Sequence, residues 1–418
     1  MIMENLVLES IDVRRNIVRY QFSYSIGLTS YFRTNELFVE YDRDVSNVPE
    51  GILTIPFVGS LIALTWTTDS VLWVKDLDLT FYRATSRLKV AYQELYPNYK
   101  FGGRLFVARL HENPAIPKTN KSILLFSGGM DAHTSYIRNR SKNLLLCNVQ
   151  GWYDDLNTRD IAAEADFRDI LKFASEEGRE HAFIKSNFAK VVNTDYYDRG
   201  IGKKIGYGWW YGFLHSMAFI STSIPLAYIG EISEIIIASS FWINTVGVCA
   251  SYATTDVEFR FCHTGHVKHD GADINRQQKA QIIVEYQRSI GRQYPMRVCS
   301  FNDHNCCECE KCFRSILNLV AEAADIRDFG FYIDEPLKQH WIDVLRRRGA
   351  LLGFSYEHTL HWVHTIPRMK ENYDKMTDEQ REFVDWFLSF DFDKAKKKAV
   401  RKYYRQNFFS ILKRKLKL

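Results

Sequence analysis

The chain is 418 residues long, 46% hydrophobic and 14% aromatic, which excludes a disordered protein and supplies enough apolar surface for two or three packed domains. Its net charge of +5 is concentrated at the end, where Asp391 to Leu418 carries eleven Lys or Arg against two Asp; the rest is mildly acidic and not a general polyanion-binding body. The opening Met1-Ile2-Met3-Glu4-Asn5 lacks a leader pattern, and five of the eight cysteines crowd between Cys299 and Cys312, which argues for a cytoplasmic protein with a metal site over a secreted disulfide framework.

Residues 1–117 read as a separate α+β domain, with either a structural role or a partner-recognition surface. Strand-like runs occur at Leu6 to Val13, Ile17 to Tyr24, Leu37 to Tyr41, Ile52 to Ala63 and Leu72 to Val74, separated by turn clusters such as Arg43-Asp44 and Pro49-Glu50-Gly51. A helical spacing follows over Leu77 to Tyr96 and stops at Pro97-Asn98.

Residues 118–324 open on a short apolar strand, Ser122 to Phe126, followed at once by Ser127-Gly128-Gly129-Met130-Asp131-Ala132 and a helix-compatible segment. Two glycines after a strand permit positive φ and a close backbone approach, and the first turn of a helix offers unpaired N–H donors and the positive end of its dipole to a polyphosphate. No Gly-Lys-Ser/Thr follows, so this is not a terminal-phosphoryl transfer loop. Ser-Gly-Gly-x-Asp after a strand resembles the PP-loop of the ATP pyrophosphatases. That resemblance implies that Ser127, Gly128, Gly129, Met130, Asp131 and Ala132 bind ATP through its β,γ-pyrophosphate while a substrate oxygen attacks the α-phosphorus. Asp131 would brace the loop or help place Mg²⁺.

Asn143 to Gln150 reads as the next buried strand of a doubly wound parallel sheet, an α/β fold. Its carboxyl end makes Val149 to Tyr153 candidates for adenosine contacts, and Asp154 and Asp155 for ribose or Mg²⁺, with plain solvation of those carboxylates as the alternative. Asn157 to Glu177 has helical spacing, and His181 to Ser186 and Ile235 to Ala238 return as strands. The segment Ile205 to Gly230 has no charged side chain, yet its glycines, serines, Pro225 and central His215 favour a buried helix over a membrane span. Gly206 to Gly212, with Trp209 and Trp210, suits either a planar-substrate slot or core aromatics. The cluster His263, His266, His269, Asp270 and Asp273 suits a polar active-site loop or a weak metal set. At Asn275 a helix opens with Arg276 and Lys279, cations that oppose the helix dipole unless they face phosphates or solvent.

The spacing Cys299-x6-Cys306-x2-Cys309-x2-Cys312 can close a tetrahedral Zn²⁺ site within one loop; an iron–sulfur cluster is the rival occupant, and Cys307 should point away. The PP-loop-like motif followed by this cysteine pattern and by Arg314 resembles the 7-cyano-7-deazaguanine synthases and their relatives, including synthase-like proteins of bacterial anti-phage islands. Lys279-Ala280-Gln281-Ile282 is similar to that family's Lys-Ala-Glu-Ile helix start, and the match covers roughly residues 121–324. The resemblance implies ATP, Mg²⁺ and Zn²⁺, adenylation of a carboxylate and displacement of AMP by a nitrogen donor, with Ser127, Asp131 and Lys279 in the chemistry and Val149 and Arg276 among the nucleotide contacts. Two departures stand out. Ala132 replaces the family's Ser, with Thr134 as a partial substitute, and the Trp209-Trp210 region stands where the family has Pro-x-Arg-Asn, which separates this chain from the deazapurine substrate.

Residues 325–418 read as helical, with amphipathic stretches at Leu337 to Arg348, Ser355 to Ile366 and Thr377 to Phe390 and a capping box at Thr377-x-x-Gln380. The basic, aromatic-interleaved tail suits RNA, an anionic membrane surface or an acidic protein, or is a solvated helix face. The combined expectation is an ATP pyrophosphatase-type ligase acting on a small-molecule or protein carboxylate, as a homodimer or with a partner encoded beside it. A nucleobase- or tRNA-modifying PP-loop enzyme and a catalytically degenerate nucleotide sensor are the alternatives.

Overall fold

Along Ile17–Tyr24 the side chains of Val18, Tyr20 and Phe22 are buried while Arg19, Gln21 and Ser23 face solvent, the period of two of a strand with one wet face. Along Asn143–Gln150, by contrast, every residue from Leu144 to Val149 is buried, as in a strand covered on both faces. Both belong to one sheet. The computed structural model describes residues 3–151, 158–243, 249–300, 302–348 and 362–392, with isolated positions out to 405. These residues divide into two compact units, Met1–Ile274 and Asn275–Leu418.

The first unit is α/β, built on an eleven-stranded mixed, mostly parallel sheet. Its strands are β1 (Asn5–Arg14), β2 (Ile17–Tyr24), β3 (Glu36–Tyr41), β4 (Val71–Asp78), β5 (Arg104–His111), β6 (Lys121–Leu125), β7 (Asn143–Gln150), β8 (Glu180–Ser186), β9 (Glu234–Ala238), β10 (Arg260–Phe261) and β11 (Gly265–Asp270). The order across the sheet is β10-β11-β9-β6-β7-β8-β3-β2-β1-β4-β5. The block β11-β9-β6-β7-β8 is parallel throughout. Antiparallel β3 and β2 join it to a second parallel block, β1-β4-β5. Within the first block β7 lies on one side of β6 and β9 on the other, so the strand order reverses at β6.

The boundary expected at residue 117 falls inside this unit. Val39, Glu40 and Tyr41 of β3 pair with Ser186, Lys185 and Ile184 of β8, a long-range register that no local sequence signal announces. Residue 324 likewise falls inside the second unit, and the observed division lies at Ile274–Asn275.

Ile52 to Ala63, expected as a strand, lies instead in helices, chiefly Ile55–Thr68, in which every residue from Ile55 to Thr67 is buried. A uniformly apolar run has neither the period of a strand nor that of a helix, and its length then decides for helix. The helical stretch Trp210–Ile229 is long and apolar enough to cross a membrane, but 78% of its apolar window is buried within the unit. The Tyr41 hydroxyl donates to the Thr222 carbonyl at 3.1 Å, and Phe213, Met217, Ile220 and Ile224 belong to the unit's core, so this segment behaves as a core helix. Trp209, 1% exposed against Tyr197 and Phe213, is likewise a core aromatic, whereas Tyr211 is exposed.

The second unit is helical in its described parts: Arg276–Ile290, Glu310–Ala321, Leu337–Arg348, Thr365–Glu371 and Asp378–Ser389. The capping box is formed, Thr377 and Gln380 each bonding the other's backbone N–H. A buried polar network ties the helices together. Arg368 grips Glu322 through Nε and Nη2 at 2.7 to 3.0 Å, Gln277 Nε2 donates to Glu322 Oε1 at 2.7 Å, and Asn318 Nδ2 donates to Gln277 and Thr365. The Glu322 side chain is 2% exposed, so Glu322→Ala removes the buried acceptor that Arg368 and Gln277 share and leaves them only Glu371 and the Asn318 carbonyl respectively. Because Arg368 keeps partial access to water, the loss is expected near the low end for a broken buried pair, about 3 kcal/mol, read as a lower urea midpoint at unchanged slope.

Candidate nucleotide and metal sites

At the carboxyl end of β6 the chain leaves the sheet through Phe126, whose N–H donates to the Cys147 carbonyl at 2.7 Å and whose carbonyl accepts from Asn148 Nδ2 at 3.2 Å. Ser127 follows, exposed. Gly128 takes φ +73°, the left-handed region that a side chain disfavours. Gly129 then caps the helix Met130–Asn139 in extended geometry. A Cβ built on Gly128 meets nothing within 4 Å, so the loop stands clear of the protein on that side. Gly129 uses its carbonyl on the His133 N–H at 3.0 Å. Asp131 is half-buried in the helix's first turn, and Met130 and Ala132 are buried.

The helix behind the loop is anchored at several points. Ser135 Oγ donates to Asp270 Oδ2 at 2.9 Å, Arg138 reaches Asp270 at 3.3 Å and Asp273 at 3.0 Å, and Lys268 Nζ donates to Asn139 at 2.7 Å. His133, which sequence reasoning missed, is 2% exposed; burial holds its imidazole far below the usual range, at about 3, while it bonds the Gly128 backbone. Its ring meets Phe126 and Phe173 edge-on at 5.0 and 4.7 Å. A neutral histidine set edge-on against two stacked aromatics thus braces the glycine turn. Its helical position gave no signal, because the partners come from β6 and a distant helix.

Thr134 does not supply the hydroxyl that Ala132 lacks. It is buried, and Oγ1 donates to the Met130 carbonyl of its own helix at 2.9 Å. Val149 lies next to last in β7, 8% exposed. Tyr153, Asp154 and Asp155 lie outside the described residues.

The histidines expected as a loop cluster are drawn apart by β11. His266 faces Glu234 at 3.6 Å near the start of β9, where Ser122 and Lys142 also bond Glu234 and these partners hold its carboxyl, despite burial, at about 2. His269, buried, bonds Asp256 at 2.8 Å, and Asp256 also accepts from Ser251. Neither is part of a metal-ligand cluster among the described residues.

Arg276 and Lys279 belong to the second unit. Arg276 donates to Asn318 Oδ1 and Ser315 Oγ, each at 3.2 Å, and Lys279 is 2% exposed in the helix Arg276–Ile290.

The cysteine knuckle closes as the spacing requires. The Sγ atoms of Cys299, Cys306, Cys309 and Cys312 all lie within 4.8 Å of one another, with Cys306–Cys312 at 4.0 Å and Cys309–Cys312 at 3.5 Å. Thiolates 2.3 Å from a tetrahedral Zn²⁺ would stand about 3.8 Å apart, so the four residues could bind a metal such as zinc. Cys307 is turned away: it adopts φ +52°, its Sγ bonds the Asn305 carbonyl at 3.5 Å, and burial pushes its thiol up to about 12. Asn305 holds the loop from inside, donating to the Met296 and Gly330 carbonyls at 2.8 and 3.0 Å.

No family model matches the chain, and no curated protein is significantly similar to it.

Proposed function

We propose that the loop Ser127 to Ala132 cradles the pyrophosphate end of ATP and that the protein is an ATP pyrophosphatase-type ligase that adenylates a carboxylate. The observation that carries this reading is the reversal of strand order at β6, since ligands of parallel α/β sheets bind at the carboxyl ends of strands where the order reverses. The glycine loop leaves from that end of β6 into a helix N-terminus, with Gly128 in the left-handed region and open space where its side chain would stand.

In this reading the Ser127 hydroxyl and the backbone N–H groups from Gly128 to Met130 hold the β,γ-phosphates. Asp131 helps place Mg²⁺, which supplies charge neutralisation of the phosphates when bound. A substrate carboxylate oxygen attacks the α-phosphorus, the bond to the β-phosphate oxygen breaks, and pyrophosphate leaves; a nitrogen nucleophile then displaces AMP from the acyl-adenylate. Lys279 and Arg276 belong to the second unit, where Arg276 bonds Asn318 and Ser315. The cysteine site, with four protein ligands and no open position, is structural.

A degenerate nucleotide sensor is the second reading, supported by Ala132 and by a Thr134 hydroxyl committed to its own helix. One assay separates them. Protein incubated with α-labelled ATP, Mg²⁺ and fractionated cell extract is expected to release labelled AMP; ATP that binds but remains intact through every carboxylate-containing fraction would favour the sensor.

A further inference from the structure

The strand β5 closes the sheet on the side away from the glycine loop, and among the described residues no strand pairs with its outer edge. Its register with β4 runs without a bulge from Val71 opposite Arg104 to Asp78 opposite His111. It is eight residues long and contains no proline and no glycine, and none of its residues is buried. Such an edge presents a row of backbone donors and acceptors, and edges are ordinarily shortened, bulged or covered. Leu105 and Val107 turn inward and pack against the core. Arg104, Phe106, Ala108 and Leu110 turn to the open face, where Trp73 (37% exposed) packs on Phe106 (45%) with ring centroids 4.0 Å apart and Leu110, farther along the strand, is 42% exposed.

We infer that β5 pairs antiparallel with β5 of a second copy of this chain, about a two-fold axis through Ala108, to form one continuous sheet across a homodimer. An isologous antiparallel pair must set one residue opposite its own copy, and opposite residues share a face. With Ala108 on the axis the open face pairs itself: Phe106 meets Leu110 of the second copy, Leu110 meets Phe106, and Arg104 comes opposite the exposed Glu112, the residue just past the end of β5, each pair occurring twice. The smallest side chain sits where two identical ones must meet. Shifting the axis to Val107 would set Arg104 against Leu110 and leave Glu112 without a cation, so the charge pattern selects the Ala108 register. On the inner face Val107 meets Arg109, whose guanidinium already lies on the buried Asp76 at 2.9 Å, and Leu105 meets His111, also bonded to Asp76 at 2.5 Å. The Arg109 charge is therefore balanced within each copy by Asp76 and does not oppose the pairing. The self-complementary charge pattern favours a second copy over an unrelated extended peptide.

The test is the mass of the full chain in solution by light scattering and sedimentation over a range of concentrations. A dimer is expected for the wild type and a monomer for Ala108→Lys, which sets two ammonium groups at the axis. Should that variant fail to fold, a charge exchange reads the same register. Arg104→Glu and Glu112→Arg are each expected to weaken dimerisation roughly tenfold or more, and the double variant to restore it. A wild type that stays monomeric at high micromolar concentration overturns the proposal. So does a folded Ala108→Lys protein that remains dimeric, or a double variant that dimerises no better than the singles.

Discussion

Gly129→Val is expected to lower ATP-dependent pyrophosphate release by about 10²–10³-fold, the cost of losing one preorganised donor at a leaving group, while leaving the fold in place. The backbone at Gly129, φ −87° and ψ 174°, is one that valine adopts readily, and an added Cβ meets only Ser127 Oγ at 3.7 Å. The substitution costs only about 1 kcal/mol at the helix cap, so circular dichroism and the melting temperature should change little. What changes is the space above the first-turn N–H groups, which the isopropyl group occupies and a phosphate then cannot reach. Gly128→Val is the contrasting case, because φ +73° there adds strain of about 1–2 kcal/mol and should lower the melting temperature as well as the activity. Pyrophosphate release at the wild-type rate by Gly129→Val would remove the loop from the nucleotide site altogether.

The parts legible in the sequence are those whose determinants are local. Asn143 to Gln150 forms β7 with the expected bounds, because its apolar stretch Leu144 to Cys147 is too short for a helix and the segment is stopped by Gly151. The glycine turn after β6, the helix Thr158–Glu176 and the four-cysteine set were legible for the same reason. What failed depended on partners far away in the chain. His266 and His269 looked like a cluster because they are close in sequence, but strand geometry sends them to Glu234 and Asp256. β5 gave no strand signal, since Arg109 and His111 interrupt its alternation, and their presence makes sense only once Asp76 of β4 lies beneath them. The first third was read as a separate domain because nothing in β3 announces its pairing with β8. Thr134 as a stand-in hydroxyl was a reasonable reading of spacing that overlooked how readily a helical threonine bonds its own backbone.

Cys309→Ala is expected to reduce bound zinc from about one per chain to near zero and to lower the melting temperature of the second unit, whereas Cys307→Ala should keep its zinc. The contrast follows from local geometry. Cys309 caps the helix Glu310–Ala321 and Cys312 lies in its first turn, so a metal held by both, with Cys299 and Cys306 from the preceding loop, fixes that loop onto the helix end. Three thiolates cannot close a four-coordinate structural site, and the ligand set binds cooperatively with folding. Complete unfolding is not expected, because Phe313 of the same helix packs on Trp341 at 4.4 Å and Phe383, Val384 and Phe387 are buried, a core independent of the metal. Apparent metal-linked stabilisation of about 10–16 kcal/mol belongs to small fingers that have no such core, so the loss here should be a fraction of that. Cys307, by contrast, bonds Asn305 with its thiol protonated, and truncating it removes only a small buried group. Metal analysis by mass spectrometry and differential scanning calorimetry on the two variants read both halves. Full zinc in Cys309→Ala, or loss of zinc in Cys307→Ala, would show that a different set of thiols holds the ion.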